Sequence, residues 1–442
     1  MMSFNQEKDF KIIFLNTLIF LIPLSFILGN TIININIILI ILSSILFFKK
    51  SLFQIKYFFF DKLLLCFFLL IQFTGLYNGI YFYVNDLWPS TFSAILKSIS
   101  FLRFLLLYIV IRFLISRNLL NFKYFFISSA FFSLFVCIDI FYQAVHGEDI
   151  FGYKSIDGLR KLSGPFNDEY IAGSYIQRFS LFTFFILPIF YKDRLKKTQL
   201  FLVPILFMMF LTGIILSGNR MPLVLFILTT VLILLFHKNT RKYFILFIII
   251  VPITLSMLYN MNVTVKNNYD TFYGNFKSIV KILTSENLKN KINNKNAPSH
   301  LREFATLYDT WLMNKYFGGG IKNFRYYCHV RPNLDKNSKF ICNMHPHNYY
   351  LEILTETGIF GFIIISTFFI MIIYISLIKK YFPNYSNMDK HYLVPFIFLF
   401  FSEIFPLKTT GSFFTTANST YIFLILSITS ALAIKYNLIE KK

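Results

Sequence analysis

Phe362–Ile378 reads "FIIISTFFIMIIYISLI", without one charged side chain. A membrane-spanning helix needs about 20 mostly apolar residues, and only the seventeen before this run, His345–Gly361 "HPHNYYLEILTETGIFG", stand between it and a polar stretch. Those residues hold His345, His347, Glu352 and Glu356 at the mouth of a helix that only a bilayer would solvate. The juxtaposition sets the fold class: an all-α polytopic membrane protein, with its densest titratable cluster at one membrane boundary.

The whole chain agrees. Its 442 residues are 56% hydrophobic and 14% charged, with a mean hydropathy of +0.60, outside the range of soluble globular domains. About twelve candidate spans follow from length and apolarity. They lie near 11–29, 31–48, 62–81, 97–116, 123–143, 170–191, 199–217, 221–237, 242–260, 347–378, 391–407 and 418–435. The first opens "MMSFNQEKDFK" and lacks a small-residue cleavage site, so it reads as a retained span, not a signal peptide. The expected organisation is nine spans in 1–260, a long outward loop at 261–346, and three spans in 347–442.

A net charge of +22 raises nucleic-acid binding, but its distribution argues against that class. Alternate connections carry the cations: Lys49, Lys50, Lys56 and Lys62; Arg112, Arg117 and Lys123; Lys192, Arg194, Lys196 and Lys197; His237, Lys238, Arg241 and Lys242; Lys379, Lys380 and Lys390; Lys435, Lys441 and Lys442. The other short connections hold few beyond Lys154, Arg160, Lys161, Arg220 and Lys408. This is the positive-inside bias, and it puts both termini in the cytoplasm.

Two outward loops then remain, about 144–169 and 261–346. The longer one opens with a polar tract and is expected to lack obvious structure until 301–316, "LREFATLYDTWLMNKY". There Leu301, Phe304, Tyr308, Trp311 and Leu312 share an apolar stripe, which predicts an amphipathic helix against the membrane surface, closed by Gly318–Gly320. Cys328 and Cys342 lie in this loop, where an oxidising compartment favours a disulfide. Zinc binding by these cysteines with His345 and His347 fits no usual spacing. Cys66 and Cys137 read as small apolar packing inside spans.

Pro346 is tolerated in a first helical turn, so the tenth span is expected to begin near His345–His347. On that helix Glu352 lies about 140° and Glu356 about 180° from His347, so the three cannot converge on one ion. A carboxylate at that depth costs a few kcal/mol unless it is paired or faces a cavity. Capping the helix dipole accounts for Glu352 but not for Glu356. Cations at the same level are Arg220, in a tight turn between spans, Arg302, and Arg178, about two turns inside the sixth span; Arg103 lies in the fourth. An arginine near a helix end can simply snorkel. Several guanidinium forks beside a histidine and carboxylates suit a lipid-linked polyanion.

These pieces resemble the O-antigen ligase and O-antigen polymerase superfamily of bacterial membrane glycosyltransferases. "HPHNYYLEILTETGIFG" looks like that family's histidine-asparagine motif with its downstream glutamate and glycines. "RKLSGPFNDEYIAGSYI", "LTGIILSGNRMPLVL" and "LREFATLYDTWLMNKYFGGGIKNF" support it in order, and the resemblance covers roughly residues 130–410. "SGNRMP" departs from members that have serine directly before the arginine. The resemblance implies metal-independent, inverting glycosyl transfer at the periplasmic leaflet of the inner membrane, with no cofactor. The donor is a glycan on undecaprenyl diphosphate, and the acceptor a lipid A-core or lipid-linked glycan hydroxyl.

In that chemistry the diphosphate is already a good leaving group. Arg220 and Arg302 are expected to stabilise it, and His347 to act as general base, with His345 second in line. His345, Asn348, Glu352, Glu356, Arg160 and Arg178 are expected to bind substrate. The compact histidine motif favours ligase over polymerase. A transporter of lipid-linked sugars is the reading from another class, but the halves show no repeat and the ionisable groups gather at one face, unlike a midplane site.

Overall fold

The computed structural model describes residues 4–85, 91–155, 160–186, 189–190, 196–284, 297–330, 342, 346–378 and 392–436. His345 lies outside the described residues, as do Lys192, Arg194, Lys379, Lys380, Lys390, Lys441 and Lys442 among the expected topology signals.

The described residues form helices joined by turns, with one isolated β-bridge between Glu148 and Lys154. In chain order the helices are α1 (Phe4–Phe20), α2 (Ile22–Leu28), α3 (Asn30–Phe48), α4 (Phe59–Val84), α5 (Thr91–Ser116), α6 (Phe122–His146), α7 (Ala172–Phe179) and α8 (Thr183–Ile186). They continue with α9 (Lys196–Leu216), α10 (Arg220–Phe236), α11 (Phe244–Met261), α12 (Val263–Leu283), α13 (Ser299–Trp311), α14 (Phe324–Val330), α15 (Tyr349–Ile373), α16 (Leu393–Glu403) and α17 (Thr416–Lys435).

Among the described residues, 7 helical segments are long and apolar enough to cross a membrane, or up to 8 if α1 and α2 count as one span bent by 42°. That bend has a local cause, since Pro23 opens α2 and cannot donate to the turn before it. Three expected spans appear as shorter apolar helices, within α9, α10 and α16. The expected sixth span is broken into α7, a 3₁₀ turn at Ser180–Phe182, and α8.

Burial orders these helices. The α17 span has mean hydropathy 1.6, the lowest of the seven, yet its apolar window is 83% buried; the span containing α11 has 2.2 and is 6% buried. The less apolar helix is therefore shielded by protein, while α11 shows Ile245, Ile248, Ile249, Ile253 and Met257 outward. Around α17 the core is aromatic: Phe423 stacks on Phe104 with centroids 5.8 Å apart and tilts against Phe68 at 5.4 Å. Without a hydrophobic drive between helices in lipid, such close packing is what associates them.

Two expectations need correction. The 261–346 segment is not a bare loop, because α12 alone runs Val263–Leu283, started by Asn262, whose side chain accepts from the Val265 N–H at 3.1 Å. An Asx cap before an amphipathic pattern of Val265, Tyr269, Phe272 and Phe276 is a helix signal that the polar residues hid. The α13 helix also presents a different face. It buries Glu303, Thr306, Leu307 and Thr310, leaving Tyr308 51% exposed and Leu312 39% exposed. Thr306 and Thr310 donate to the carbonyls four residues back at 2.7 Å. Their polarity is thus satisfied internally, and their small size lets α13 approach α15, with Phe304 packed on the buried side and Tyr308 and Leu312 facing outward.

Arg112, counted above as a surface topology signal, is instead 4% exposed and pairs with Asp61. The Tyr108 hydroxyl donates to the same carboxylate at 2.6 Å.

Candidate functional site

The helix carrying the titratable cluster starts later than its sequence indicates. Asn348, not the residues around Pro346, is its N-cap: Oδ1 accepts from the N–H groups of Tyr350 and Leu351 at 3.1 and 3.0 Å. The Asn348 amide donates to the carbonyl of Pro406 at 3.0 Å. His347 therefore precedes the helix, with φ +55, a left-handed backbone that is uncommon outside glycine and recurs at functional sites. The helical angles worked out for His347 against the glutamates do not apply, because His347 is not in the helix.

Beside it stands the start of α13. The rings of His347 and His300 meet edge to face, with centroids 5.6 Å apart and planes at 87°. His300 Nδ1 lies 3.0 Å from Glu303 Oε2 one turn along. Arg302 shares this first turn. Cys328 and Cys342 are bonded, with Cα atoms 5.7 Å apart. The bridge packs with Leu307, Phe324 and Leu351, tying α13, α14 and α15 together five residues before His347.

Beneath the α15 start lies a buried charge network that was not legible as such in the sequence. Arg178 donates to both oxygens of Glu403, at 2.6 and 3.2 Å, and to Asn418 Oδ1 at 2.7 Å. Lys408 and the Tyr349 hydroxyl donate to the same Glu403 Oε1, the latter at 2.8 Å. The Tyr350 hydroxyl donates to the Ile404 carbonyl at 2.6 Å. Glu403, at the end of an apolar run in "FSEIFPLK", and Lys408 could have been singled out as ionisable groups at membrane depth, which are functional by default. Burial pulls the Lys408 ammonium down to about 8, while Glu403 opposes the shift.

The glutamates of α15 have separate surroundings. Glu352 accepts from Ser412 Oγ at 2.5 Å and from the Phe413 N–H. Glu356 is 2% exposed, takes the Lys322 backbone N–H, and faces the charges of Lys322 and Lys97. Its Oε2 is buried without a hydrogen-bond partner among the described residues. Around Glu356 the helix opens at Gly358, with φ +67 and ψ −173. Gly319 and Gly320 donate to the Thr355 and Glu356 carbonyls at 3.0 and 2.9 Å, while Ile359 and Phe360 donate to those of Lys315 and Tyr316 at 2.9 and 3.3 Å. The glycine-rich turn thus satisfies the backbone of an interrupted helix, as non-helical chain at membrane depth requires. A Cβ on Gly358 would sit 2.1 Å from the Tyr316 carbonyl oxygen.

Asn348, Glu352 and Arg178, expected to bind substrate, are buried and have their side chains hydrogen-bonded to protein groups.

A second group forms at the start of α10. Arg220 stands over the Phe272 ring at 5.8 Å and feels the charge of Arg160. The Arg160 carbonyl accepts from Asn268 on α12 at 2.9 Å, and Gly218 leaves only 2.6 Å between that oxygen and where a Cβ would stand. Burial pushes the Tyr269 phenol up to about 12 against the pull of Arg220, so it is a neutral hydroxyl. Arg220 has no acidic partner among the described residues. Arg160 and Arg220, 60 positions apart in the chain, are thereby brought together. Among the described residues no three His, Cys, Asp or Glu side chains lie close enough to hold one metal ion.

Helical spans, with arginine, histidine and glutamate side chains on the turns and helix starts of α10, α13 and α15, define a multi-pass membrane protein. Residues 205–366 match the family model described as O-antigen ligase. The matched stretch runs from α9 through the opened turn of α15, so the similarity to that family covers this part of the chain. Among curated proteins, none matches the chain.

Proposed function

We propose that the protein is an O-antigen ligase-like glycosyltransferase of the bacterial inner membrane. It moves a glycan from undecaprenyl diphosphate to a lipid A-core hydroxyl at the periplasmic face. In this reading the seven long spans, the bent α1–α2 pair, the broken α7–α8 segment and the three shorter helices are the twelve crossings, and 261–346 is periplasmic. The observation that carries the reading is the Arg160–Arg220 juxtaposition, in which two guanidinium groups share a neighbourhood and Arg220 has no described carboxylate. Arg220 stands in that cationic neighbourhood without a described carboxylate, and its planar fork matches diphosphate oxygens.

His347 takes the proton from the acceptor hydroxyl as that oxygen attacks the anomeric carbon. The bond from that carbon to the diphosphate breaks with inversion, and its electron pair leaves on the diphosphate. Arg220 and Arg302, with Arg160 supporting, stabilise the developing charge. The orphaned Oε2 of Glu356 is an acceptor for a sugar hydroxyl, and His345 is a further sugar ligand. No step calls for a metal ion or a cofactor.

The test is a lipopolysaccharide gel of a deletion strain together with analysis of its undecaprenyl-linked glycan. Full-length polymer stranded on the carrier supports the ligase reading. A single repeat attached to core assigns a polymerase instead, and unchanged lipopolysaccharide removes both.

A further inference from the structure

The buried Glu356 carboxylate lies about 12 Å along α15 from the Asn348 cap, and three elements bring cations to it. Lys322 follows the glycine-rich turn whose Gly320 N–H binds the Glu356 carbonyl at 2.9 Å. Its own N–H reaches the Glu356 side chain, and its backbone is left-handed, with φ +62, a conformation that recurs at functional sites. Arg325 stands on α14. Lys97 comes from α5, which is drawn in through α4. There Ser98 Oγ would stand 2.2 Å from a Cβ on Gly75, and the Thr74 carbonyl oxygen 3.6 Å from one on Gly320. Lys97 and Lys322 are half-buried, and both act on the Glu356 carboxylate as charges. Arg325 and Lys322 act in the same way on Lys97. Yet no ion pair joins Glu356 to either lysine among the described residues, and Glu356 Oε2 has no hydrogen-bond partner. At membrane depth such groups are costly unless something bridges them. The carboxylate needs a donor and the ammonium groups need an anion, a combination that a phosphorylated sugar supplies.

We infer that Lys97 and Lys322, beside Glu356, bind a phosphate on the lipid-proximal sugar of the acceptor. The inference rests on the proposed function, with the reacting hydroxyl at His347, and adds where the other end of the acceptor lies. Order along α15 matches order along a glycolipid. His347 precedes the helix and Glu356 lies about 12 Å further in, as a reacting sugar stands outermost and the phosphate next to the lipid chains. Lipid A-core and a repeat unit on undecaprenyl diphosphate both carry phosphate there. The donor diphosphate stays with Arg160 and Arg220.

The experiment uses the full chain in liposomes, with an undecaprenyl diphosphate-linked oligosaccharide as donor. The acceptors are lipid A-core and the same glycolipid stripped of its lipid A phosphates, which keeps its sugars and acyl chains. Wild-type protein should show an acceptor KM about 10- to 100-fold higher for the stripped form, the cost of a lost charge-assisted contact, with donor KM unchanged. Lys97→Ala and Lys322→Ala should each raise the KM for lipid A-core by about 10-fold. Neither should raise it further for the stripped form, where the contact is already gone. Lys97→Met and Lys322→Met keep the stem without the charge, and they stand in for any alanine variant whose unfolding midpoint shows that it has not folded. One wild-type KM for both acceptors overturns the inference, and so do equal losses on both in the variants. If lipid A-core accepts nothing and a repeat on undecaprenyl diphosphate does, only the ligase reading falls, and that repeat is compared with its neutral undecaprenyl glycoside. Where neither is turned over, the proposed function falls, and both pairs are compared by retention on immobilised protein. Equal retention within both pairs then overturns the inference.

Discussion

Glu403 closes the guanidinium fork of Arg178, with one oxygen at 2.6 Å and the other at 3.2 Å, across 225 residues of sequence. The same carboxylate accepts from Tyr349, the first residue of α15, at 2.8 Å. Arg178, expected to bind substrate, is thus tied through Glu403 to a residue of the histidine motif. Removing one partner of a buried pair leaves an uncompensated charge, worth about 3–5 kcal/mol. Arg178→Ala should therefore lower the thermal unfolding midpoint of the detergent-solubilised protein by several degrees. Lys408→Ala should lower it less, because the fork survives. An unchanged midpoint in Arg178→Ala would show that the network contributes nothing to stability.

Arg220→Ala and Arg302→Ala are each expected to reduce transfer by about 10²–10³-fold, the cost of losing one donor to a developing anion, with membrane insertion intact. Arg220→Lys should restore only part, since an ammonium keeps the charge and loses the planar fork. Full activity in Arg220→Lys would mean that charge alone matters there, and full activity in Arg220→Ala would take the residue out of the site.

His347→Ala should slow transfer by about 10²–10⁴-fold, the usual contribution of a positioned proton acceptor, while donor retention on immobilised protein is largely kept. Chelators should leave the wild-type rate unchanged. A rate lost to chelator and restored by one metal would replace this mechanism with a metal-assisted one.

Gly358→Ala should cost more than the usual change at a glycine. The added Cβ meets the Tyr316 carbonyl oxygen at 2.1 Å, and φ is +67, where an alanine is strained by about 1–2 kcal/mol before any clash. The readout is the unfolding midpoint beside transfer activity. A variant with both at wild-type values would show that the 315–320 turn is not needed to seat α15.

A phosphatase reporter fused near Asn290 should be active and one at Lys442 inactive, if the long segment faces the periplasm. The reverse pattern would move the candidate site to the cytoplasmic face.

Long apolar runs made the helical class legible, because twenty uncharged residues leave the chain few alternatives. Phe362–Ile378 is of this kind. Interruptions were not legible. Gly358 reads as one small residue among apolar neighbours, and only its closeness to Tyr316 shows that the helix must open there. The start of α15 was misread because proline is allowed in a first turn, whereas Asn348, a stronger cap, stood two residues on. Among the candidate residues, Arg220 stood out because the other short connections of its set are poor in cations, and His347 because it stands at the mouth of an apolar run. Glu403 and His300 were passed over, since their importance lies in partners 225 and 47 residues away.

The opened turn of α15 also constrains how the chain is made. A helix that leaves the translocon with two bare carbonyls and two bare amides pays several kcal/mol for each in lipid. Its partners, Lys315, Tyr316, Gly319 and Gly320, precede it in the chain. If 261–346 faces outward as proposed, they have already been exported when residues 355–360 emerge from the ribosome. Export of the preceding segment is then a condition for releasing this span into the bilayer, so synthesis order and membrane integration are coupled at one glycine.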